Sequence, residues 1–302
     1  MIFKARTESP LLKILRVLNT RMELKSHEQK YCYTMEKGFQ GELQFDSLTE
    51  NLQNDCLILN DLQLRANNTE FQMDTLIIFQ KMLYIIEVKN YEGEYSYDPE
   101  MFQMAFGKEV LNPLAQLNRS KSLLRLLLQS LNINFSIEGK IVFVNPQFTL
   151  YKASPDLPFI YPTQLKSFLT KLDTIPSHLN SSHKKLAEKL TSMHLTGLSP
   201  NAKLPAYEIT QLRKGITCKK CYSFSISTVG RKVVCSECGC EELVTTAILR
   251  SIEELKLLFP HRKITTREVH DWCQVIDSKL RIGRLLRKHF KMKGIHQWAF
   301  YE

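Results

Sequence analysis

No apolar run in this chain reaches the roughly 18 residues needed to cross a bilayer. The opening stretch, MIFKARTESPLLKILRVLNTRMELK, scatters charge through its short apolar segment. A membrane span and a signal peptide are therefore not expected, and a cytoplasmic protein is. Internal repeats and low-complexity tracts are missing too, so neither a repeat array nor a polar tail is predicted. Cysteine is scarce outside one segment: Cys32, Cys56 and Cys273 lie far apart, whereas Cys218, Cys221, Cys235, Cys238 and Cys240 crowd together. That clustering favours a metal site over a disulfide framework.

What the chain does have is apolar material, 43% of 302 residues, enough for two or three domains. Its charge is uneven. Tyr207 to Glu302 holds 18 Lys and Arg against 10 Asp and Glu, which is +8 of the total +10. A polyanion such as nucleic acid is the expected partner of that third, with a solvated basic face as the alternative.

Residues 1–30 read as an amphipathic, cationic helical segment, with Ser9 and Pro10 where a cap and a first-turn proline belong. A packing role is favoured over a membrane-surface or DNA-binding arm. Glu36 to Leu52 is helix-like, and Gly38 and Gly41 allow close approach of another backbone or a ligand. FQMDTLIIFQ and KMLYIIEVKN read as a hairpin of buried central strands broken at Gln80-Lys81. Asn112-Pro113 supplies a cap and an N1 proline for a helix to about Leu131, followed by strand GKIVFVNP, strand PFIYP, helix TQLKSFLTKL and a helix from Ser181 to Leu195. These elements predict a mixed-sheet α/β domain over 31–198, with a linker at 199–212.

In Glu87-Val88-Lys89, strand alternation puts Glu87 and Lys89 on one face and Val88 on the other. Asp74 lies in the partner strand, so its carboxylate comes near Glu87. Burying such groups unpaired costs several kcal/mol or forces protonation, a penalty that a divalent cation removes. Mg²⁺, which takes hard oxygen ligands from one or two carboxylates, fits. Lys89 would orient or help deprotonate the attacking water and stabilise charge on a phosphate.

The order Gly38-Phe39-Gln40-Gly41-Glu42, Asp74 in an apolar strand, Glu87-Val88-Lys89-Asn90 with Gly93, then Asn112-Pro113-Leu114-Ala115-Gln116 resembles the NERD family, a nuclease-related domain of the PD-(D/E)XK superfamily. The resemblance spans about Glu36 to Leu128. It implies a restriction-endonuclease-like core, Mg²⁺ or Mn²⁺ bound by Asp74 and Glu87, and Lys89 assisting the nucleophile. It also implies Glu42 supporting the metal from the first helix and Gln116 pointing into the site. The superfamily's usual proline before the aspartate is Met73 here.

Cys218-Lys219-Lys220-Cys221 and Cys235-Ser236-Glu237-Cys238 are two C-x₂-C knuckles 13 residues apart, the spacing of a zinc ribbon over 213–245. YSFSISTVGRKVV between them has hairpin character with Gly230 at its turn. Cys240 is an alternative to Cys238, although Gly239 makes Cys238 the better knuckle. Four thiolates close a Zn²⁺ site, giving it a structural role, with Lys219, Lys220, Arg231 and Lys232 available to phosphates.

Residues 246–302 hold three helix-like runs and the aromatic tail IHQWAFYE. In SKLRIGRLLRKHFKMKG, the cations Arg281, Arg284, Arg287 and Lys288 lie opposite an Ile282, Leu285, Leu286 and Phe290 stripe. A winged-helix-like tail or a three-helix cap fits. Trp298, Phe300 and Tyr301 are expected to pack, with base stacking as the alternative. The reading that unites these features is a metal-dependent nuclease acting on DNA. Its alternative is a catalytically silent nucleic-acid-binding or scaffold protein of a DNA-processing complex.

Overall fold

The computed structural model describes residues 1–105, 107–199, 202–276, 278–294 and 299–302. From the N-terminus run β1 (Ile2–Lys4), α1 (Pro10–Arg21), α2 (Ser26–Thr49), β2 (Leu57–Ala66), β3 (Thr69–Ile78), β4 (Met82–Lys89) and β5 (Gly93–Tyr97). Next come β6 (Phe102–Met104), β7 (Glu109–Val110), α3 (Pro113–Ser130), β8 (Ser136–Phe143), β9 (Phe148–Tyr151), β10 (Phe159–Ile160), α4 (Leu165–Asp173) and α5 (Ser181–Ser192). The chain ends with β11 (Ile226–Val229), β12 (Lys232–Cys235), β13 (Glu241–Leu243), α6 (Val244–Leu258), α7 (Thr266–Cys273), α8 (Lys279–His289), β14 (Met292–Lys293) and β15 (Phe300–Tyr301). Two compact units result: Met1–Ser9 with Tyr33–Leu198, and Pro10–Cys32 with Ser199–Glu302.

The first unit is built on a six-stranded mixed sheet ordered β1-β2-β3-β4-β8-β10. Only the β2–β3 and β3–β4 pairs are antiparallel. Both faces are apolar because both are covered. Leu59, Leu83, Ile85, Ile141 and Phe143 pack with Leu117 and Leu124 of α3 and Leu186 and Leu190 of α5. Ile58, Ile77, Ile86, Val88 and Val142 pack with Phe45 of α2 and Phe168 and Leu172 of α4. A second, four-stranded sheet, β7-β6-β5-β9, adds Tyr95, Phe102 and Phe148 to the first of these cores.

Local chemistry explains the elements next to the site. The β3–β4 hairpin turns at Gln80-Lys81, closed by Phe79 N donating to Met82 O at 2.9 Å. Asn112 caps α3, its side chain accepting from Leu114 N at 2.9 Å with Pro113 next in line. Gly41 is where α2 crosses the end of β4: a Cβ there would stand 2.5 Å from Asn90 Cβ, whereas nothing lies within 4 Å of Gly38. Close approach is thus met at one glycine and not at the other.

Strand β2 is absent from the sequence expectation. Its partner β3 is joined to it by Asn67-Asn68, both at positive φ (45° and 61°), a two-residue turn that asparagine tolerates. Alternation slips halfway along, since the core takes Leu57 and Leu59 before Asp61 but Leu62 and Leu64 after it. Asp61, at φ 53°, absorbs the slip. β1 pairs with β2 at the sheet edge and α2 begins at Ser26, well before the expected Glu36.

In the second unit, β11-β12-β13 form an antiparallel sheet turning at Gly230, φ 60°. Ile14 and Leu18 of α1, Val233 of β12, Ile248 and Ile252 of α6, Trp272 of α7 and Ile282 and Leu286 of α8 share one core. Leu212 is buried in it, and Leu204, Tyr207 and Ile209 lie against it, so the proline-containing stretch expected as a linker is packed structure. Arg21 of α1 is fully buried. It donates to Glu254 at 2.6 Å and to the carbonyls of Arg213 (2.8 Å) and Gly215 (3.2 Å), over the Trp272 ring at 4.2 Å. β14 pairs with β15, and Tyr301 bridges back to Ile264 and is buried. Trp298 lies outside the described residues.

Candidate functional site

Four polar side chains meet at the C-terminal end of β4. Val88 turns into the apolar face against α2, so Glu87 and Lys89 project together toward α3. The Lys89 Nζ donates to Glu87 Oε1 at 2.7 Å and to Gln116 Oε1 at 3.1 Å. Gln116 reaches this point from the first turn of α3, which the Asn112 cap fixes. Across the hairpin the backbone ladder ends at Thr75 opposite Ile86. There Asp74 Oδ2 replaces the next rung, accepting from Val88 N at 2.8 Å.

Glu42 and Asp46 stand four residues apart on α2, hence on one face. Between them lies Arg6, which the sequence reading missed. It donates to Asp46 Oδ2 (2.8 Å) and Oδ1 (3.0 Å), to Glu42 Oε2 (2.7 Å) and to the backbone oxygen of Asp74 (2.7 Å). The spacing of Glu42 and Asp46 was a usable signal. Arg6 gave none, because only the pairing of β1 with β2 brings it here.

The electrostatics follow from this crowding. Glu42, Asp46, Asp74 and Glu87 are four carboxylates around two cations, Arg6 and Lys89. Burial first, then the Asp74 charge, pushes Glu42 up to about 8 and Glu87 up to about 7. Burial likewise raises Asp74, against the pull of Lys89 and the Val88 N–H. For Lys89, burial disfavours the ammonium, but Glu87 and Asp74 outweigh it and raise its pKa. Glu87 is 1% exposed, and its Oε2 is buried with no hydrogen-bond partner. Two more carboxyl groups than cations, one of them with an orphaned buried oxygen, suit a hard divalent cation. Glu42 meets this site from α2 with its Oε2 engaged by Arg6.

Residues 37–144 match the family model described as NERD, nuclease-related domain. The match contains Glu42, Asp74, Glu87, Lys89 and Gln116 and leaves out Arg6 and every clustered cysteine. No curated protein and no solved structure matches the chain. Within the NERD segment, Asn90 extends the site's frame, its Nδ2 donating to Lys37 O at 2.8 Å while its Oδ1 accepts from Asn145 at 3.1 Å.

Outside the NERD segment, Cys218, Cys221, Cys235 and Cys238 form a cluster able to coordinate a metal ion, their sulfurs all within 4.8 Å of one another. Cys218–Cys238 and Cys221–Cys235 sulfurs are 3.6 Å apart. That is close to the edge of about 3.8 Å expected for a tetrahedron of thiolates 2.3 Å from zinc. Cys240 is not in the set. The knuckles are built alike: Tyr222 N donates to Cys218 O and Gly239 N to Cys235 O, both at 3.0 Å, and Tyr222 and Gly239 both take positive φ (58° and 67°). Burial raises the Cys218 thiol, but N–H groups of Cys221 and Lys220 and the neighbouring thiols hold its thiolate, bringing it down to about 6.

The cations named from sequence do not form one patch. Lys232 is paired with Glu241, and Lys219 lines a cleft that also holds Glu241 and Glu242. Lys220 is exposed. Arg231, however, lines a cleft together with Arg281 and Arg284 of α8, and Arg287 and Lys288 are exposed further along that helix.

Proposed function

We propose that the chain is a metal-dependent nuclease acting on DNA, with its hydrolytic site in the NERD segment. The observation that carries this reading is Glu87: buried, one carboxylate oxygen on Lys89, the other without a protein partner, beside Asp74. Asp74 and Glu87 would hold Mg²⁺ or Mn²⁺. When bound, such an ion polarises a phosphate and lowers the pKa of a water.

The remaining roles belong to the chain's own groups. Lys89, its pKa raised, enters as an ammonium. It orients the attacking water and neutralises charge growing on a phosphate oxygen, and the Asp74–Glu87 pair keeps it from serving as a free base. Gln116 holds the Lys89 ammonium in place, and Glu42, engaged by Arg6, supports the metal from α2. The net change is addition of water across one ester bond. The water oxygen bonds to phosphorus, the bond to the sugar oxygen breaks, and that oxygen leaves protonated.

On this account α2, β2–β4, α3 and β8 form a restriction-endonuclease-like core. The four cysteines close a structural Zn²⁺ site on a ribbon of β11–β13. The order α6, Ile264, α7, α8, β14, β15 is winged-helix-like, and unit two holds nucleic acid. Purified protein incubated with linear, circular and single-stranded DNA in Mg²⁺ or Mn²⁺ tests the proposal. Cleavage is expected with wild type and lost in Asp74→Ala and Lys89→Ala. DNA binding without any metal-dependent cleavage by wild type would rule the catalytic reading out.

A further inference from the structure

Two parts of the second unit that are far apart in sequence meet in one concave place. The turn Gly230-Arg231 between β11 and β12 and the start of α8 enclose a surface cleft of about 490 Å³, lined by Gly230, Arg231, Ser278, Leu280, Arg281 and Arg284. Among the described residues none of its three arginines is in an ion pair, unlike Lys232 or Lys214 nearby in sequence. Among the described residues its lining carries three arginines and no carboxylate. Such a surface attracts anions, and guanidinium matches phosphate oxygens in a bidentate manner.

We infer that this cleft seats a backbone phosphate of duplex DNA, so that the cysteine-bearing sheet and α8 grip one strand jointly. The inference rests on the reading of the second unit as a nucleic-acid holder and specifies where and how it holds. Duplex is favoured over single strand by two features. Among the described residues no aromatic ring lines the cleft, whereas single-strand sites depend on stacking platforms. Leu280, Arg284, Arg287 and Lys288 recur at helical spacing on the outward side of α8, with Ile282, Leu285 and Leu286 buried opposite. That outward side spans about 16 Å of an 11-residue helix, a length that a major groove accepts. Leu280, 72% exposed, is then placed for apolar contact with the groove.

Fluorescence anisotropy on the full chain, zinc-loaded and without Mg²⁺, decides the matter, using a short duplex, the same strand unpaired, and poly-glutamate. Arg231→Ala, and separately Arg281→Ala with Arg284→Ala, are compared with Lys185→Ala on α5. The cleft variants are expected to weaken duplex binding by about tenfold per arginine. The slope of log affinity against log salt should become shallower by about one per arginine. Lys185→Ala should behave as wild type. Duplex binding unchanged in the cleft variants overturns the cleft while leaving nucleic-acid binding by the unit intact; no DNA binding by wild type overturns both. Poly-glutamate bound more tightly than duplex, and lost in the same variants, would replace DNA with an acidic protein partner.

Discussion

Glu42 and Glu87 keep their protons into the neutral range when no cation neutralises them, since burial and the Asp74 charge both penalise the ionised form. From the ordinary value of 4.5 up to about 7 or 8, the folded chain binds more protons than the unfolded one. Stability from these two groups is therefore full at low pH and is lost as pH rises through that window. Metal-free protein should unfold at a lower temperature at pH 8 than at pH 5, with Mg²⁺ restoring stability mainly at the upper end. Glu87→Gln should remove its own share of the pH response, leaving that of Glu42, and most of the Mg²⁺ response, a change on the order of 2 kcal/mol in thermal or urea melts at pH 8. An unaltered Mg²⁺ response in that variant would contradict the assignment of Glu87 as a ligand. Tyr222 and Gly239 give a second residue-level test. Both occupy the left-handed region, where a side chain costs roughly 1–2 kcal/mol. Tyr222 is half exposed and loses little packing on removal. Tyr222→Gly should thus tighten zinc retention against a chelator, and Gly239→Ala should loosen it. Which residues were readable follows the same logic: Glu87 and Lys89 share a strand face and Asp74 lies one hairpin away, so period-two alternation reaches all three, but nothing near Arg6 in sequence marks it.

At the scale of elements, α2 rests on β4 through a single missing side chain. Gly41→Ala would drive a methyl into Asn90, displacing the helix that carries Glu42 and Asp46. A loss of about 1–3 kcal/mol and a marked fall in any cleavage activity are expected. Gly38→Ala, in open space three residues earlier on the same helix, should be neutral or stabilise by up to about 1 kcal/mol. Equal effects of the two substitutions in urea melts would refute this account of the contact. The elements that were legible are those with local punctuation: α3 with its Asn-Pro start and the β3–β4 hairpin with its apolar runs. β2 was hidden because its alternation slips at Asp61. The first half of α2 was hidden because SHEQKYCYT has no apolar stripe and only tertiary packing makes it helical.

For the molecule as a whole, two compact units that share no core cluster imply two separable responses. The cysteine cluster adjoins the β11–β13 sheet of the second unit, and on the proposed zinc reading metal analysis should return about one zinc per chain. A zinc chelator should lower one calorimetric transition and leave the first unit's transition in place. A chelator that shifted both equally would show that the units do not melt independently. By sequence the chain divides into consecutive pieces such as 1–30 and 31–198, whereas in the structure it changes unit at 9/10 and again at 32/33. No composition shift marks those points, since each is fixed by contacts with residues far downstream.

That path has a consequence for how the protein is made. α1 leaves the ribosome before residues 37–144, yet the helix it packs on, α6, is synthesised only after them. Ile14 and Leu18 must wait, exposed, while the first unit assembles, and a nascent chain halted near residue 200 would present them to chaperones rather than to their own core.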